Sequence, residues 1–293
     1  MPSISHTLAT AQERGLERLD SQLLLLHALG VAPDVEGAQR AWLIAHGDDA
    51  LPAAALSRFD GFVQRRLAGE PVAYITGFKE FYGLTLEVDT RVLIPRPDTE
   101  TLVSWALELL AALSLSPGQV PAVLDLGTGS GAIALALKQQ RPDLQVDAID
   151  ASAEALAVAV GNAQRLGLSI GFRQGHWLAS VTRRYHCIVA NPPYVAERDS
   201  HLAALAHEPA SALVSGVDGL RDLRHIVDAA SAFLYPGAWL LLEHGFDQGL
   251  AVRELLFDAG YGSVQTRRDL GGNERCTGGQ ALPFPVPARL PRW

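Results

Sequence analysis

The chain is poor in cysteine and lacks a long apolar run. Its two cysteines, Cys187 and Cys276, are too few for a disulfide framework and fit a reducing compartment. Cys187 lies in an apolar run, which favours a place in the core over a catalytic role. No stretch reaches the roughly 18 apolar residues that a membrane span needs, and the first residues show no secretory pattern. We therefore expect a cytoplasmic protein without a membrane partner.

An excess of positive charge is also missing, because the net charge is −8. Proteins that bind nucleic acid through its phosphates usually carry a basic binding face. A local basic face could still exist, but the acidic balance makes direct nucleic-acid binding the less favoured expectation. The 293 residues, 48% of them apolar, suffice for one large domain and a smaller one.

The first 70 residues have the apolar spacing of helices. Two sets of apolar residues recur three or four positions apart: Leu16, Leu19, Leu23 and Leu26, then Leu56, Phe59, Val63 and Leu67. Each set predicts one buried helical face, with Pro52 near the start of the second helix and a break around Gly30 and Pro33. We interpret residues 1–70 as a helical bundle that has no chemistry of its own and could recognise a partner.

Residues 71–94 change to an aromatic and β-branched pattern. The alternation of Leu84, Leu86 and Val88 with polar residues predicts a half-buried strand in a short hairpin between two domains. The segment Ile94–Glu100, with sequence IPRPDTE, follows, and its two prolines deny it helix. Asp98 is then a candidate N-cap for a helix that runs to Leu110.

From about residue 121 the chain alternates apolar strands with helices. The predicted strands are 123–126, 146–150, 188–190 and 239–243, and the predicted helices are 132–140, 153–166 and 248–259. This alternation is typical of an α/β fold with a doubly wound, mostly parallel sheet, which we assign to residues 95–293. The proline-rich tail, residues 283–293, is expected to be an extended end.

A glycine-rich loop follows the first of these strands. It consists of Gly127, Thr128, Gly129, Ser130 and Gly131. Open α/β sheets bind ligands at the carboxyl ends of their strands, and glycines there allow close approach of a ligand. The run also fits the dinucleotide fingerprint, so it predicts a cofactor of the adenosine type without choosing one.

Asp150, at the end of the second strand, can accept hydrogen bonds from both hydroxyls of a ribose. The alternative is that it caps the following helix, a role for which Ser152 competes. Either NAD or S-adenosylmethionine fits these two features. What distinguishes the two cofactors is the sequence Asn191-Pro192-Pro193-Tyr194, directly after the buried strand 188–190. Two prolines there turn the chain out of the sheet and fix its carbonyl groups.

With this motif the sequence resembles the class I methyltransferases that act on planar nitrogens, and within them the release factor glutamine methyltransferases. The resemblance covers nearly the whole chain. It is carried by 69–75, 94–100, 125–131, 191–194, 208–209, 243–245 and 273–275. The motif NPPY is shared with DNA adenine methyltransferases, whereas IPRPDTE after a helical N-terminal domain is far more specific.

The resemblance implies a Rossmann-like class I methyltransferase that converts S-adenosylmethionine to S-adenosylhomocysteine. Its substrate would be the glutamine of the Gly-Gly-Gln motif in peptide chain release factors, and we expect a monomer without a metal. Cofactor contacts would come from residues 127–131, Asp150, Asn191 and Trp177, the last stacking near the adenine.

The same resemblance places the glutamine in the NPPY turn. Asn191 and Pro192 would accept the two amide hydrogens, and Pro193 and Tyr194 would complete the substrate site, with Tyr194 packed on the flat amide. Acceptors held in this way stabilise the positive charge that develops on the nitrogen as the methyl group is transferred.

Two points stay open, the role of His176 and the choice of function, and one tripeptide needs an interpretation. The family commonly has an acidic residue before the aromatic residue, where this chain has His176, which either accepts from the adenine or faces solvent. The tripeptide Gly278-Gly279-Gln280 is interpreted as a turn and not as a self-substrate. The alternative functions are a nucleic-acid adenine amino methyltransferase and a cofactor-binding protein without catalysis.

Overall fold

The computed structural model describes residues 1–31, 38–116 and 118–282. The chain divides into two compact units, Met1–Thr90 and Arg91–Trp293. The break predicted at Gly30 is confirmed, since Gly30 ends a helix with a φ of 74°. Pro33 and the tail 283–293 lie outside the described residues. The predicted division at residues 70 and 94 stays a prediction.

The first unit contains five helices among its described residues. They are α1 (Ile4–Glu13), α2 (Arg18–Leu29), α3 (Ala38–Ala45), α4 (Ala53–Leu67) and α5 (Val72–Thr76). Ser3 caps α1 by accepting a hydrogen bond from the His6 amide, and Pro52 immediately precedes α4 as its N-cap residue. The core of this unit includes Phe59 and Val63 of α4.

The predicted buried face of α2 is partly wrong. Leu16 and Leu26 are buried, but Leu19 is 59% exposed and Leu23 is 37% exposed. The helix begins only at Arg18, and the leucine run 23–26 offers more than one possible apolar face. Packing of α2 on α4 selects the face that carries Leu24 and Leu25. Leu67, the last residue of α4, is 46% exposed, so the predicted buried face of that helix is wrong at its final position.

The hairpin predicted after the helices is confirmed. It pairs β1 (Phe78–Phe81) with β2 (Leu84–Glu87) in antiparallel register, and both turn residues, Tyr82 and Gly83, have positive φ angles as tight hairpin turns require. Leu84, Leu86 and Val88 are buried. This hairpin belongs to the first compact unit.

The second unit has an α/β architecture. Its strands are β3 (Ala122–Leu126), β4 (Gln145–Asp150), β5 (Gly171–Gln174), β6 (Tyr185–Ala190), β7 (Leu234–Glu243), β8 (Gly262–Arg268) and β9 (Glu274–Gln280). Its helices are α6 (Glu100–Ala111), α7 (Ala132–Gln140), α8 (Ala153–Leu166), α9 (Arg221–Ala230) and α10 (Gly249–Asp258). Among the described residues, none of the helices is long and apolar enough to cross a membrane.

The seven strands form one sheet in the order β5-β4-β3-β6-β7-β9-β8. The first five are parallel neighbours and β9 is antiparallel to both of its neighbours, which confirms the predicted mostly parallel sheet. The chain runs outward from β3 through β4 to β5, then returns to place β6 on the other side of β3. This reversal of strand order opens a crevice at the carboxyl ends of β3 and β6, where sheets of this class bind ligands.

Two local predictions for this unit are wrong. Asp98 does not cap α6, because Pro97–Thr99 forms a short 3-10 turn and Thr99 occupies the N-cap position. Residues 278–280 are part of strand β9 rather than a turn. Gly278 serves close packing there, since an added Cβ would lie 2.8 Å from the Leu240 carbonyl oxygen and 3.0 Å from the Trp105 ring.

Candidate active site

The glycine-rich loop begins where β3 ends. Gly127, Gly129 and Gly131 have φ angles of 72°, 55° and 86°, a region that residues with a Cβ rarely adopt. At Gly127 an added Cβ would also lie 3.1 Å from the Trp177 ring. The loop therefore needs glycine both for its backbone conformation and for the close approach of an aromatic side chain.

Asp150 braces this loop from the end of β4. Its Oδ2 accepts a hydrogen bond from the Gly129 N–H at 2.8 Å, and its Oδ1 accepts one from the Ser152 N–H at 2.9 Å. The helix-cap interpretation of Asp150 is wrong, because Ser152 caps α8 by accepting from the Ala155 N–H. A carboxylate has about four acceptor positions, so Asp150 keeps capacity for further hydroxyl donors.

Trp177 lies beside the loop in a strained backbone conformation with a φ of 48°. Its indole Nε1 donates a hydrogen bond to Asp222 Oδ1 at 3.2 Å, and Asp222 is itself buried and accepts from the Ser215 hydroxyl at 2.7 Å. The indole is thus held at its N–H by Asp222, and its far end lies close to Gly127. His176 is exposed, and its ring centroid lies 5.7 Å from that of Trp177.

Asp125 is a buried residue of this region that the sequence reasoning did not single out. Its Oδ2 accepts a hydrogen bond from the Thr128 hydroxyl at 2.7 Å, and burial raises its pKa to about 7. The Ala134 N–H lowers this pKa, but Oδ1 has no hydrogen-bond partner of normal geometry among the described residues. A charged residue inside the otherwise apolar β3, just before the glycines, was the available signal. Nearby, the Asn162 side chain donates to the Ser130 carbonyl at 3.0 Å.

Asn191 begins the NPPY turn at the end of β6. Its Nδ2 donates to the Thr99 hydroxyl oxygen at 3.2 Å. The oxygen and the nitrogen of an amide lie on opposite sides of its carbon. Because the nitrogen contacts Thr99, Oδ1 points away from Thr99, where it can accept a hydrogen bond from another group. Pro192 is buried behind Asn191, and Pro193 is half-buried.

Tyr194 is held from two sides at the end of the turn. Its hydroxyl donates to Glu243 Oε1 at 3.3 Å, and its carbonyl oxygen accepts from Gln248 Nε2 at 3.0 Å. Gly219 packs so tightly against the same carbonyl that an added Cβ would lie 2.3 Å from the oxygen. Burial raises the pKa of Tyr194, so the phenol stays protonated and can donate.

The IPRPDTE segment ties this turn to distant parts of the second unit. The Ile94 N–H donates to Glu208 Oε2 at 3.1 Å, and the Arg96 guanidinium pairs with the same carboxylate. Asp98 pairs with Arg275 at 3.1 Å. Together with the contact between Thr99 and Asn191, these bonds connect four of the segments that carried the family resemblance: 94–100, 191–194, 208–209 and 273–275.

Glu243, at the end of β7, is the second buried acid that the sequence reasoning did not assign to the site. It is 1% exposed, and burial raises its pKa to about 7 although the Arg275 charge and the Thr99 hydroxyl lower it. Its Oε2 has no hydrogen-bond partner of normal geometry among the described residues. Only the sheet order, which places β7 beside β6, brings this carboxyl to the NPPY turn.

Both units of the chain resemble known protein families. Residues 3–77 match the family described as PrmC N-terminal domain, and residues 106–216 match the Methyltransferase small domain. The release factor glutamine methyltransferase of Xylella fastidiosa is 48% identical over 97% of this chain and 100% of its own length. That of Pseudomonas aeruginosa is 50% identical over 90% of this chain and 92% of its own length. The chain belongs to the release factor glutamine methyltransferase family.

Solved structures agree with the family at the level of the fold. A methyltransferase from Pyrococcus furiosus matches with a TM-score of 0.52 and 19% identity, covering 75% of this chain and 97% of that one. The predicted class I methyltransferase fold, with a helical N-terminal domain, is confirmed. Membership of the family does not test the individual site residues, so their roles stay predictions.

Proposed function

We propose that this protein transfers a methyl group from S-adenosylmethionine to the side-chain amide nitrogen of the glutamine in the Gly-Gly-Gln motif of peptide chain release factors. The observation that carries the proposal is the Asn191 amide, oriented by Thr99 at the carboxyl end of β6. We place the reaction in the cytoplasm, which is in keeping with the two buried free cysteines.

The residues at the crevice fit S-adenosylmethionine. Residues 127–131 provide the close backbone approach, and Asp150 retains acceptor capacity for the ribose hydroxyls. Trp177 supplies a flat ring beside Gly127 for the adenine, and Asn191 lies at the neighbouring strand end. When bound, the cofactor supplies an electrophilic methyl group on a positively charged sulfur.

The protein has to make a poor nucleophile react. The lone pair of an amide nitrogen is delocalised into its carbonyl group. If Asn191 Oδ1 and the Pro192 carbonyl accept the two amide hydrogens, the nitrogen is fixed with its lone pair toward the methyl group. A carbon–nitrogen bond forms, the carbon–sulfur electron pair stays on sulfur, and one proton leaves the nitrogen for water. Both acceptors stabilise the charge that develops on the nitrogen, and no strong general base is needed.

Tyr194 packs against the flat amide in this scheme, and Pro193 keeps the turn rigid. Gln248 holds the Tyr194 carbonyl and the Gly245 N–H with the two ends of one side chain, at 3.0 and 2.9 Å. The support for the turn thus comes from Glu243 of β7 and from Gln248, the residue before α10, as well as from β6. Preorganisation of this kind avoids a rearrangement cost during the reaction.

The experiment is mass spectrometry of candidate substrates after incubation with methyl-labelled S-adenosylmethionine. We expect one methyl group on the Gly-Gly-Gln glutamine of an intact release factor. A release factor whose motif glutamine is replaced by alanine is the control and should stay unlabelled. Label on an adenine-containing oligonucleotide instead would support the nucleic-acid alternative, and no label on any substrate would support binding without catalysis.

A further inference from the structure

We infer that Ser215 is a positioning residue that holds two parts of the active site at once. Its hydroxyl orients Asp222, which holds the Trp177 ring, and its backbone anchors the chain that leaves the NPPY turn. The inference rests on the proposed function, in which Trp177 lies beside the adenine and the turn holds the glutamine amide. It assigns a task to a buried side chain that methyl transfer does not itself require.

Ser215 is 0% exposed, and its side chain makes two hydrogen bonds to one residue. Its hydroxyl donates to Asp222 Oδ2 at 2.7 Å and accepts from the Asp222 N–H at 2.9 Å. Asp222 is the second residue of α9, where the first N–H groups have no partner inside the helix. The Ser215 oxygen supplies that partner. One hydroxyl thus closes a ring with both the backbone and the carboxylate of Asp222.

This ring fixes the direction of the Asp222 carboxylate. With Oδ2 held by Ser215, Oδ1 accepts from the Trp177 indole N–H at 3.2 Å. Arg221 also donates to Oδ2, at 3.0 Å, but its side chain is 64% exposed and water competes for it. Ser215 is therefore the buried contact that keeps the carboxylate turned toward the indole, whose far end lies close to Gly127.

The backbone of Ser215 contacts the other side of the site. Its N–H donates to the Val195 carbonyl at 2.9 Å, and the Val195 N–H donates to the Leu213 carbonyl at 2.9 Å. These two bonds form a parallel bridge directly after the NPPY turn. A third bond, from the Glu197 N–H to the Gly216 carbonyl at 2.9 Å, extends the contact. The segment around Ser215 therefore runs along the chain that leaves the turn and holds it in place.

Removal of the Ser215 hydroxyl has one effect on each side. Asp222 loses a donor to its carboxylate and an acceptor for its N–H, so the carboxylate can turn away from Trp177. The segment 213–216 loses its tie to α9, so the bridge to Val195 and the turn before it are held less firmly. The first effect concerns cofactor affinity and the second concerns turnover, because groups that can rearrange bind a ligand or a transition state less well.

The test compares full-length variants. Ser215→Ala removes the hydroxyl and keeps the backbone bonds. Ser21→Ala is the matched control, because Ser21 is also 0% exposed and its hydroxyl donates to the Arg18 carbonyl at 2.8 Å within the first unit. Both changes are also made in a Trp177→Phe background, which lacks the indole N–H. The measurements are calorimetric affinity for S-adenosylmethionine and kcat and KM for intact release factor.

We expect Ser215→Ala to weaken cofactor binding by about 3- to 10-fold, the range of one ordinary hydrogen bond. In the Trp177→Phe background the same change should alter the remaining affinity little, because Asp222 has no indole to hold. In both backgrounds kcat should fall by about 3-fold or more, because the bridge to Val195 does not pass through Trp177. Ser21→Ala should change neither quantity.

Two results would overturn the inference. Equal losses of cofactor affinity in the two backgrounds would mean that Ser215 acts without Trp177. Wild-type kcat in Ser215→Ala would mean that the hydroxyl does not help to hold the NPPY turn. If Ser215→Ala does not fold, Ser215→Cys answers the same questions, because a thiol fills the space but is a weaker donor and acceptor.

A second readout needs neither cofactor nor substrate. The indole N–H resonance of Trp177 in the free protein, assigned by its loss in Trp177→Phe, should move in Ser215→Ala and in Asp222→Ala but not in Ser21→Ala. An unmoved resonance in Ser215→Ala would overturn the inference even in an enzyme that methylates release factor. A moved resonance in a protein that labels no release factor would support the role of Ser215 while refuting the proposed substrate.

Discussion

The Asp150 carboxylate accepts a hydrogen bond from the Gly129 N–H, with 2.8 Å between oxygen and nitrogen. This contact joins the ends of two neighbouring parallel strands, β3 and β4, and fixes the proposed ribose acceptor relative to the glycine loop. A binding group that is already held in place loses little freedom when its ligand arrives.

Asp150→Ala should weaken S-adenosylmethionine binding by roughly 1–3 kcal/mol, the usual cost of leaving buried hydroxyls and an N–H without an acceptor. Isothermal titration calorimetry measures the loss. Asp143→Ala is the control, because Asp143 is an exposed acid that pairs with Arg141 away from the crevice. Equal affinities for Asp150→Ala and the wild type would refute the ribose assignment.

Asp222→Ala should weaken cofactor binding by about 1–2 kcal/mol, because Trp177 loses the acceptor that holds its indole against Gly127. In a Trp177→Phe background, which has no indole N–H, the same change should cost much less. Arg221→Ala removes an ion pair to Asp222 whose guanidinium side is 64% exposed, and it should have little effect. A full loss from Asp222→Ala in both backgrounds would mean that Asp222 acts by another route.

Asn191→Ala should reduce turnover of release factor by about 100-fold or more, since one of two preorganised acceptors is lost. Cofactor affinity should change much less. Steady-state kinetics with calorimetry on the same preparation separates the two effects. Wild-type turnover in this variant would show that another residue holds the nucleophile.

Asp125 should make the free energy of unfolding depend on pH. Burial raises its folded pKa from 3.8 to about 7, so the folded state binds a proton more tightly than the unfolded state. Its contribution is therefore most favourable below about pH 4 and is lost as the pH rises to 7. Asp125→Asn is neutral throughout, so wild-type stability relative to this variant should fall by on the order of 2–4 kcal/mol between pH 4 and pH 8. Urea unfolding of both proteins across this range measures the difference, and a constant difference would contradict the buried-acid assignment.

Removal of the first compact unit should affect recognition more than chemistry. A chain of residues 91–293 should bind S-adenosylmethionine yet methylate intact release factor far more slowly than the full chain. A flat glutamine amide offers little to discriminate by, and recognition of a folded protein takes on the order of 800 Å² from each partner. A short acceptor peptide should be a poor substrate for both chains and separate them little. Circular dichroism must first show that the shorter chain is folded, and equal rates on intact release factor would then contradict the recognition role.

Local signals predicted much of the second unit. The helices Ala132–Gln140 and Ala153–Leu166 have the predicted bounds. Gly131 and Ser152 set where they begin, the first through its backbone conformation and the second through a side-chain cap. The hairpin of β1 and β2 was equally accessible from the alternation of Leu84, Leu86 and Val88 with polar residues. Such features depend on neighbours within a few residues, so the sequence displays them directly.

Features that depend on distant partners were predicted poorly. The buried face of α2 was wrong because four successive leucines are apolar on several faces and α4 selects among them. Asp98 was expected to cap α6 but pairs with Arg275, 177 positions away in the numbering of the chain, at 3.1 Å. Gly278 was expected in a turn but lies in β9, where glycine makes room for Leu240 and Trp105.

The sequence by itself determined the α/β class of the second unit, the glycine loop, the NPPY turn and the family, because each is encoded in a contiguous pattern of residue types. Only the tertiary structure decided that Thr99 meets Asn191, that Glu243 meets Tyr194 and that Asp222 holds Trp177. These contacts depend on strand order and helix placement, which arise from burying apolar surface across the whole unit. Sequence spacing does not record that arrangement directly. The motif residues of the site could therefore be predicted from the sequence, whereas the residues that hold them in place could not.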